Sequence, residues 1–287
     1  MLRELPGWGY LYNFAADFRS EWLWAGAPVR EMRGRISGYT TRHDLSKWSE
    51  RGTYFLGRWH DLGMQSFVTD VIGSTKTIVD VGANRGEFSL FASNVVKQGK
   101  VISFEPNPQC RDTLENDISR NSITNIEVIP AGLSERAATL TMSIPSGHSV
   151  EGTFSKLDGP NVVTILSQVV VGDEVLERET PALFKIDVEG FECKVIAGIV
   201  ETIARCRPII ITEVERVHLE RCGDSPEKLR NLIEGQGYEG YCLRLQKRAG
   251  KYTWALSPMD MKQGFDAVWV PRERLSDLIQ PHRLITV

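Results

Sequence analysis

The sequence predicts an α/β fold, a mainly parallel sheet with helices on both faces. Three stretches predict it. TIVDVGANRGEFSL (Thr77 to Leu90) reads as an apolar strand, a glycine-rich turn and the start of a helix. Val101 to Phe104 is a second short apolar strand, ending at Glu105 and Pro106. LFKIDVEGFE (Leu183 to Glu192) is a strand that ends in charge, with Gly190 opening the next helix. Strands of this kind alternating with helical periodicity are the pattern of βαβ units.

The elements follow in chain order. Residues 1 to 60 hold five of the seven tryptophans (Trp8, Trp22, Trp24, Trp48 and Trp59) and no long strand pattern. Helices and loops packed on the main domain are expected there, with the aromatics as docking contacts or as a wall for an acceptor molecule. Met64, Phe67, Val68, Val71 and Ile72 recur at helical spacing and lead into the first strand. Phe88, Phe91 and Val95 mark the helix after the glycine turn. Residues 108–120 form the next helix, 121–125 a polar loop, and Ile126 to Ile129 the third strand. Residues 138–171 break the alternation with β-rich runs, ATLTMSI and VVTIL, read as an inserted hairpin or small sheet. Alternation resumes at Ala182 to Ile186, with a helix from about Phe191 to Cys206 and a strand at Pro208 to Thr212. Pro226 to Glu234 is a helix, and Tyr241 to Leu245 and Ala267 to Val270 are the final strands. The expected organisation is an N-terminal extension, residues 1–72, and a main domain, residues 73–287, with the β-rich insertion at about 138–171.

Composition narrows the function classes. A length of 287 residues suits one large domain with an extension. A net charge of −3 gives no support for nucleic-acid binding. No apolar run approaches the roughly 18 residues of a membrane span. An acid and a proline stand where a signal peptide would need an apolar core, which argues against secretion. The five cysteines are scattered, odd in number and contain no CxxC pair. Reduced thiols in a cytoplasmic protein, with no zinc site, are the expectation.

The chemistry gathers at the strand ends. Glycine at positions 82 and 86 lets the turn take positive φ and approach a ligand closely. Asp80, inside an apolar strand, is costly unless partnered, and it suits a cationic or amine-bearing ligand better than a phosphate. Glu105 ends the second strand of a βαβ unit, where an acid accepts hydrogen bonds from ribose hydroxyls. Alternation places Lys185, Asp187 and Glu189 on one face at a strand's C-terminal end, where open α/β sheets bind ligands. Glu213, at the end of the next strand, faces the same cleft or serves as a structural ion pair or helix cap.

Four segments together carry a family resemblance: VDVGANRGEFS (Val79 to Ser89), FEPNP (Phe104 to Pro108), KIDVEGFE (Lys185 to Glu192) and IITEVE (Ile210 to Glu215). In these the chain resembles the FkbM-type methyltransferases over roughly Thr77 to Glu215. Arg85 stands where that family commonly has an aliphatic residue. The resemblance implies a Rossmann-like class I methyltransferase fold, a seven-stranded, mostly parallel sheet with one antiparallel strand near the C-terminus. It implies S-adenosyl-L-methionine as cofactor and transfer of a methyl group to an oxygen. Asp80, Gly82, Asn84 and Gly86 are expected around the methionine portion and Glu105 on the ribose. A hydroxyl acceptor must lose a proton, and Asp187 and His148 are the candidate bases. The expected acceptor is a small molecule or glycan, with a sugar hydroxyl foremost, and the sequence admits a homo-oligomer. No metal is assigned, although Asp187 with Glu213 could hold a divalent ion. Two other classes share part of the pattern. An NAD-dependent oxidoreductase would need G-x-G-x-x-G, whereas Gly82 and Gly86 give G-x-x-x-G. A cofactor-binding, non-catalytic subunit would keep Gly82 and Glu105 without a base.

Overall fold

The computed structural model describes residues 22–145, 152–248, 251–261 and 264–278. Among the described residues the first strands form the hairpin β1 (Val29–Arg33) and β2 (Thr40–Asp44), followed by the helices Trp48–Leu56 and Leu62–Val71. The central alternation is β3 (Thr77–Val81), helix Glu87–Val95, β4 (Lys100–Phe104), helix Pro108–Arg120 and β5 (Ile126–Ile129). The insertion comprises β6 (Gly132–Ser134), β7 (Ala138–Pro145) and β8 (Val162–Val171). The alternation then continues through β9 (Pro181–Ile186), helices Glu192–Ala197 and Val200–Cys206, and β10 (Ile209–Val214). Helices Arg216–Arg221 and Pro226–Glu234 lead to β11 (Tyr238–Arg248), β12 (Lys251–Ser257) and β13 (Phe265–Pro271).

The main sheet has eight strands in the order β12-β11-β13-β10-β9-β3-β4-β5. From β5 to β10 every neighbour is parallel. β13 then runs antiparallel between β10 and β11. Seven of these strands match the expected class I methyltransferase sheet. The eighth, β12, is an added edge strand paired antiparallel with β11. It is held by Trp254, whose ring packs edge-on against Phe67 at 5.0 Å and whose indole N–H donates to Asp70 at 2.9 Å.

Strand alternation builds two core layers. Val79, Val81, Phe104, Phe184, Ile186 and Ile210 belong to one face. Ile78, Val101, Leu183, Ile209 and Ile211 belong to the other. Burial on both faces is why these strands read as near-continuous apolar runs. The helix expected from Phe191 to Cys206 is broken in two at Gly198, where a Cβ would lie 2.1 Å from the Ser134 carbonyl. β6 therefore presses directly on the break. The insertion forms its own three-stranded sheet, order β6-β8-β7.

The N-terminal extension contains the β1–β2 hairpin as well as helices. Its strands VREMR and TTRHD carry no apolar alternation, which is why the hairpin is silent in the sequence. The extension is latched to the main domain. Asn121 accepts from the Thr40 amide at 2.7 Å and donates to its carbonyl at 2.8 Å. Trp59 packs against the rings of Phe88 and Phe91 at 5.7 and 6.4 Å.

Candidate active site

The C-terminal ends of β3, β4, β9 and β10 open into one cavity of about 380 Å³. Its floor is the turn after β3. Gly82 has φ +78° and Asn84 φ +51°, both left-handed. Gly82 is required twice over, since a Cβ there would meet the Asp187 carbonyl at 2.0 Å. Gly86, φ +86°, opens the helix Glu87–Val95, and a Cβ on it would strike Leu114 at 2.2 Å. Gly82 and Asn84 line the cavity, whereas Gly86 and Asp80 lie outside its lining. Gly86 therefore permits close packing of the helix against Leu114.

Asp80 is fully buried and has its partners within the protein. It accepts from Ser89 Oγ at 2.5 Å, and Ser89 also contacts Ser103 Oγ at 2.7 Å. Its other oxygen lies 3.6 Å from Lys185 Nζ. Burial pushes its carboxyl above the ordinary range, against the pull of Lys185 and Ser89. Lys185 is equally buried and reaches Asp187 at 3.3 Å and the Gly82 carbonyl at 3.3 Å. Burial opposes its charge, but Asp187 and Asp80 outweigh that and hold the ammonium above its ordinary value. Asp80 thus supports Lys185, and through it Asp187. Asp187 itself lines the cavity with its side chain 43% exposed, open enough to touch a substrate.

Glu105 stands at the end of β4 as expected, buried yet lining the cavity. Its carboxylate accepts from the Asn84 amide at 2.6 Å and the Asn107 amide at 2.8 Å. Burial raises its pKa to about 7, against the help of those two amides. Each oxygen keeps a second lone pair for a ligand hydroxyl.

Glu189 departs from the expected strand alternation. β9 ends at Ile186, and Glu189 sits in a left-handed turn with φ +55°. Its neighbour Gly190, φ +102°, lets that turn press on the helix behind, because a Cβ would lie 2.1 Å from the His218 carbonyl. Glu192 fastens the turn by accepting from the Val188 and Gly190 amides at 3.1 and 3.3 Å. The result turns Glu189 away from Lys185 and toward His218, whose Nδ1 lies 2.9 Å from Glu189 and 3.5 Å from Glu213. Those two carboxylates raise the imidazole pKa to about 10. A histidine held charged in this way cannot serve as a base at neutral pH. The other candidate base, His148, lies outside the described residues.

The extension completes the cavity with Trp48, Trp59, His60 and Asp61. Arg85, in the turn after β3, forms an ion pair with the buried Glu50 and donates to the Arg42 carbonyl at 2.9 Å. Asp266, at the start of β13, also lines the cavity. Burial, together with Asp61, Asp187 and Glu213 nearby, pushes its carboxyl well above the usual range. Asp61, Asp266 and His218 are the site residues that sequence reasoning missed. Asp266 had a signal, a charge at the mouth of the apolar strand FDAVWVP. His218, on a short polar helix, had none.

Residues 80–239 match the family described as the methyltransferase FkbM domain. The methyltransferase sdnD of Sordaria araneosa is 28% identical over 200 residues, covering 58% of this chain and 74% of that protein. The hexuronic acid methyltransferase AglP of Haloferax volcanii is 29% identical over 198 residues, covering 66% of this chain and 77% of that protein. The crystal structure of a methyltransferase FkbM from Methylobacillus flagellatus KT aligns with a TM-score of 0.47 at 16% identity, over 92% of this chain and 60% of that one.

The Lys185 ammonium carries a stability prediction. Removing one partner of a buried pair leaves an uncompensated charge and costs about 3–5 kcal/mol. Lys185→Met should lower the urea midpoint accordingly, and adding Asp80→Asn should restore part of the loss. A single variant as stable as the parent would show that Asp80 needs no cation.

Proposed function

The chain belongs to the FkbM methyltransferase family, and we propose that it transfers a methyl group from S-adenosylmethionine to a hydroxyl of a sugar, glycan or natural product. The observation that carries this reading is the shared cavity of Glu105, the Gly82–Asn84 turn and Asp187. The donor set fits the cofactor. Bound S-adenosylmethionine would bring a positive sulfur carrying an electrophilic methyl, together with an ammonium group, and both suit carboxylates. Glu105 would accept from the ribose hydroxyls, and the Gly82–Asn84 backbone would lie along the methionine portion.

The protein's own task is alignment and proton removal. An in-line displacement depends on holding the oxygen, the methyl and the leaving sulfur in one line. Asp187 takes the proton from the acceptor hydroxyl as the oxygen–carbon bond forms. Lys185 fixes the Asp187 carboxylate from the buried side. Trp48 and Trp59 offer aromatic faces to the flat surface of a sugar ring. Asp61, Glu213 and Asp266 give acceptors for its hydroxyls, which supports a hydroxyl-rich acceptor. The hexuronic acid methyltransferase among the relatives supports a sugar as well. Among the described residues no helix is long and apolar enough to cross a membrane. That accords with a cytoplasmic enzyme working on a diffusible acceptor.

Calorimetry tests the cofactor. S-adenosylhomocysteine should bind and NAD should not; tight NAD binding with no response to S-adenosylhomocysteine would sink the proposal. Glu105→Ala should weaken S-adenosylhomocysteine by about tenfold to a hundredfold, the worth of hydrogen bonds to a charged group.

Glu105 also sets a pH dependence. Its folded pKa, about 7, lies above the ordinary carboxylate value, so the empty protein binds the extra proton more tightly than the unfolded chain does. That contribution to stability is fully present below the ordinary value and is lost as pH rises through about 7. The ionised form is the better acceptor for ribose hydroxyls, so cofactor affinity should rise over the same window. Titrations from pH 5.5 to pH 8.5, roughly a unit and a half either side, should show this rise in the parent and a flat profile in Glu105→Gln. A rise that persists in Glu105→Gln would assign it to another group.

Asp187→Asn should lower turnover by about a hundredfold to ten-thousandfold while S-adenosylhomocysteine still binds. Near-normal turnover would remove Asp187 from the mechanism.

A further inference from the structure

We propose that Glu189, Glu213 and His218 form a divalent-cation site on the acceptor side of the cavity. Three different segments supply the donors: the turn after β9, the end of β10 and the helix Arg216–Arg221. One carboxylate oxygen from each glutamate and one imidazole nitrogen lie within 4.8 Å of one another.

The spacing of the donor atoms suits an ion. Metal–ligand bonds of about 2.1 Å put neighbouring donors about 3.0 Å apart at right angles and about 3.4 Å apart at the tetrahedral angle. The two distances from Nδ1, 2.9 and 3.5 Å, bracket those values. His218 Nδ1 is buried and has no hydrogen-bond partner of good geometry, although two carboxylate oxygens stand beside it. A cation coordinated by all three donors would satisfy both carboxylates at once.

The chemistry of the set selects the ion. One imidazole and two carboxylates form a borderline site that favours Mn²⁺ or Zn²⁺ over Ca²⁺. Three protein donors leave positions open for water or substrate. Glu189 and Glu213 line the same cavity as Asp187. An ion held there would bind the acceptor hydroxyl oxygen and lower its pKa, and the proton would pass to Asp187. Only this catalytic role rests on the methyl-transfer proposal; binding of the ion does not.

The test uses the full chain stripped with a chelator and titrated with Mn²⁺ by calorimetry. One ion should bind per chain. Glu213→Gln, Glu189→Gln and His218→Ala should each weaken it by about a hundredfold, at or above the loss known for groups that merely support metal ligands. Thermal melts establish that each variant is folded. Electron spin-echo spectroscopy of the bound Mn²⁺ should show an imidazole nitrogen that disappears in His218→Ala. A parent chain that takes up no Mn²⁺, variants that bind as the parent does, or a bound ion without a nitrogen signal would each overturn the site. S-adenosylhomocysteine binding is measured in parallel. Its loss counts against the methyltransferase proposal alone, and the absence of Mn²⁺ counts against the metal site alone.

Discussion

The buried ammonium of Lys185 is the interaction on which the rest of the site depends. β3 and β9 are parallel neighbours, and Asp80 and Lys185 are direct register partners across them. A slip of one residue would send Lys185 to the opposite face, among Phe184 and Ile186, where a charge has no partner. The pair therefore fixes which register the two central strands adopt. The same ammonium reaches the Gly82 carbonyl and the Asp187 carboxylate. One cation thus joins the strand, the turn after β3 and the proposed base. The close contact of Gly82 with the Asp187 backbone completes that junction, since no larger residue fits between the two strand ends.

The N-terminal extension builds a wall of the cavity and is keyed to its floor. Arg85 projects from the turn after β3 to Glu50 on the helix Trp48–Leu56 and to the Arg42 carbonyl on β2. Glu50 in turn accepts from the Asp44 amide at 2.5 Å. A buried carboxylate and a guanidinium from separate segments meet at the turn after β3, and an aliphatic residue at position 85 would leave Glu50 with Lys47, 3.4 Å away, as its remaining cation. Arg85 thus ties the extension to the turn after β3.

Much of this was legible in the sequence, for a physical reason. Strands buried on both faces read as apolar runs, and the cavity opens at their ends, so the positions of Glu105 and Asp187 in its lining could be read from strand position alone. Where side-chain direction depends on backbone turns, the sequence was weaker. Alternation put Glu189 beside Lys185, but a left-handed residue turned it toward His218. Asp80 looked like a ligand group because a lone acid in an apolar strand demands a partner; its partners proved to be Lys185 and Ser89. The hairpin β1–β2 and the charge of Asp61 come together with the site only through tertiary packing, and no local pattern announces that.

The acid content of the cavity follows from the same geometry. Parallel strands deliver Asp187 and Glu213 from adjacent positions in the sheet, and β13, inserted antiparallel, brings Asp266 in from its opposite end. Glu213 and Asp266 are register partners across β10 and β13. Like charges this close cannot all ionise freely, and burial raises both of their pKa values. Such a wall is held at a cost to the empty protein. Hydroxyl donors or a cation entering the cavity would lower that cost, because each supplies what the carboxylates lack. The antiparallel strand near the C-terminus is therefore more than a topological signature of the fold: it brings an acid, Asp266, to the cavity wall that already holds Asp187 and Glu213.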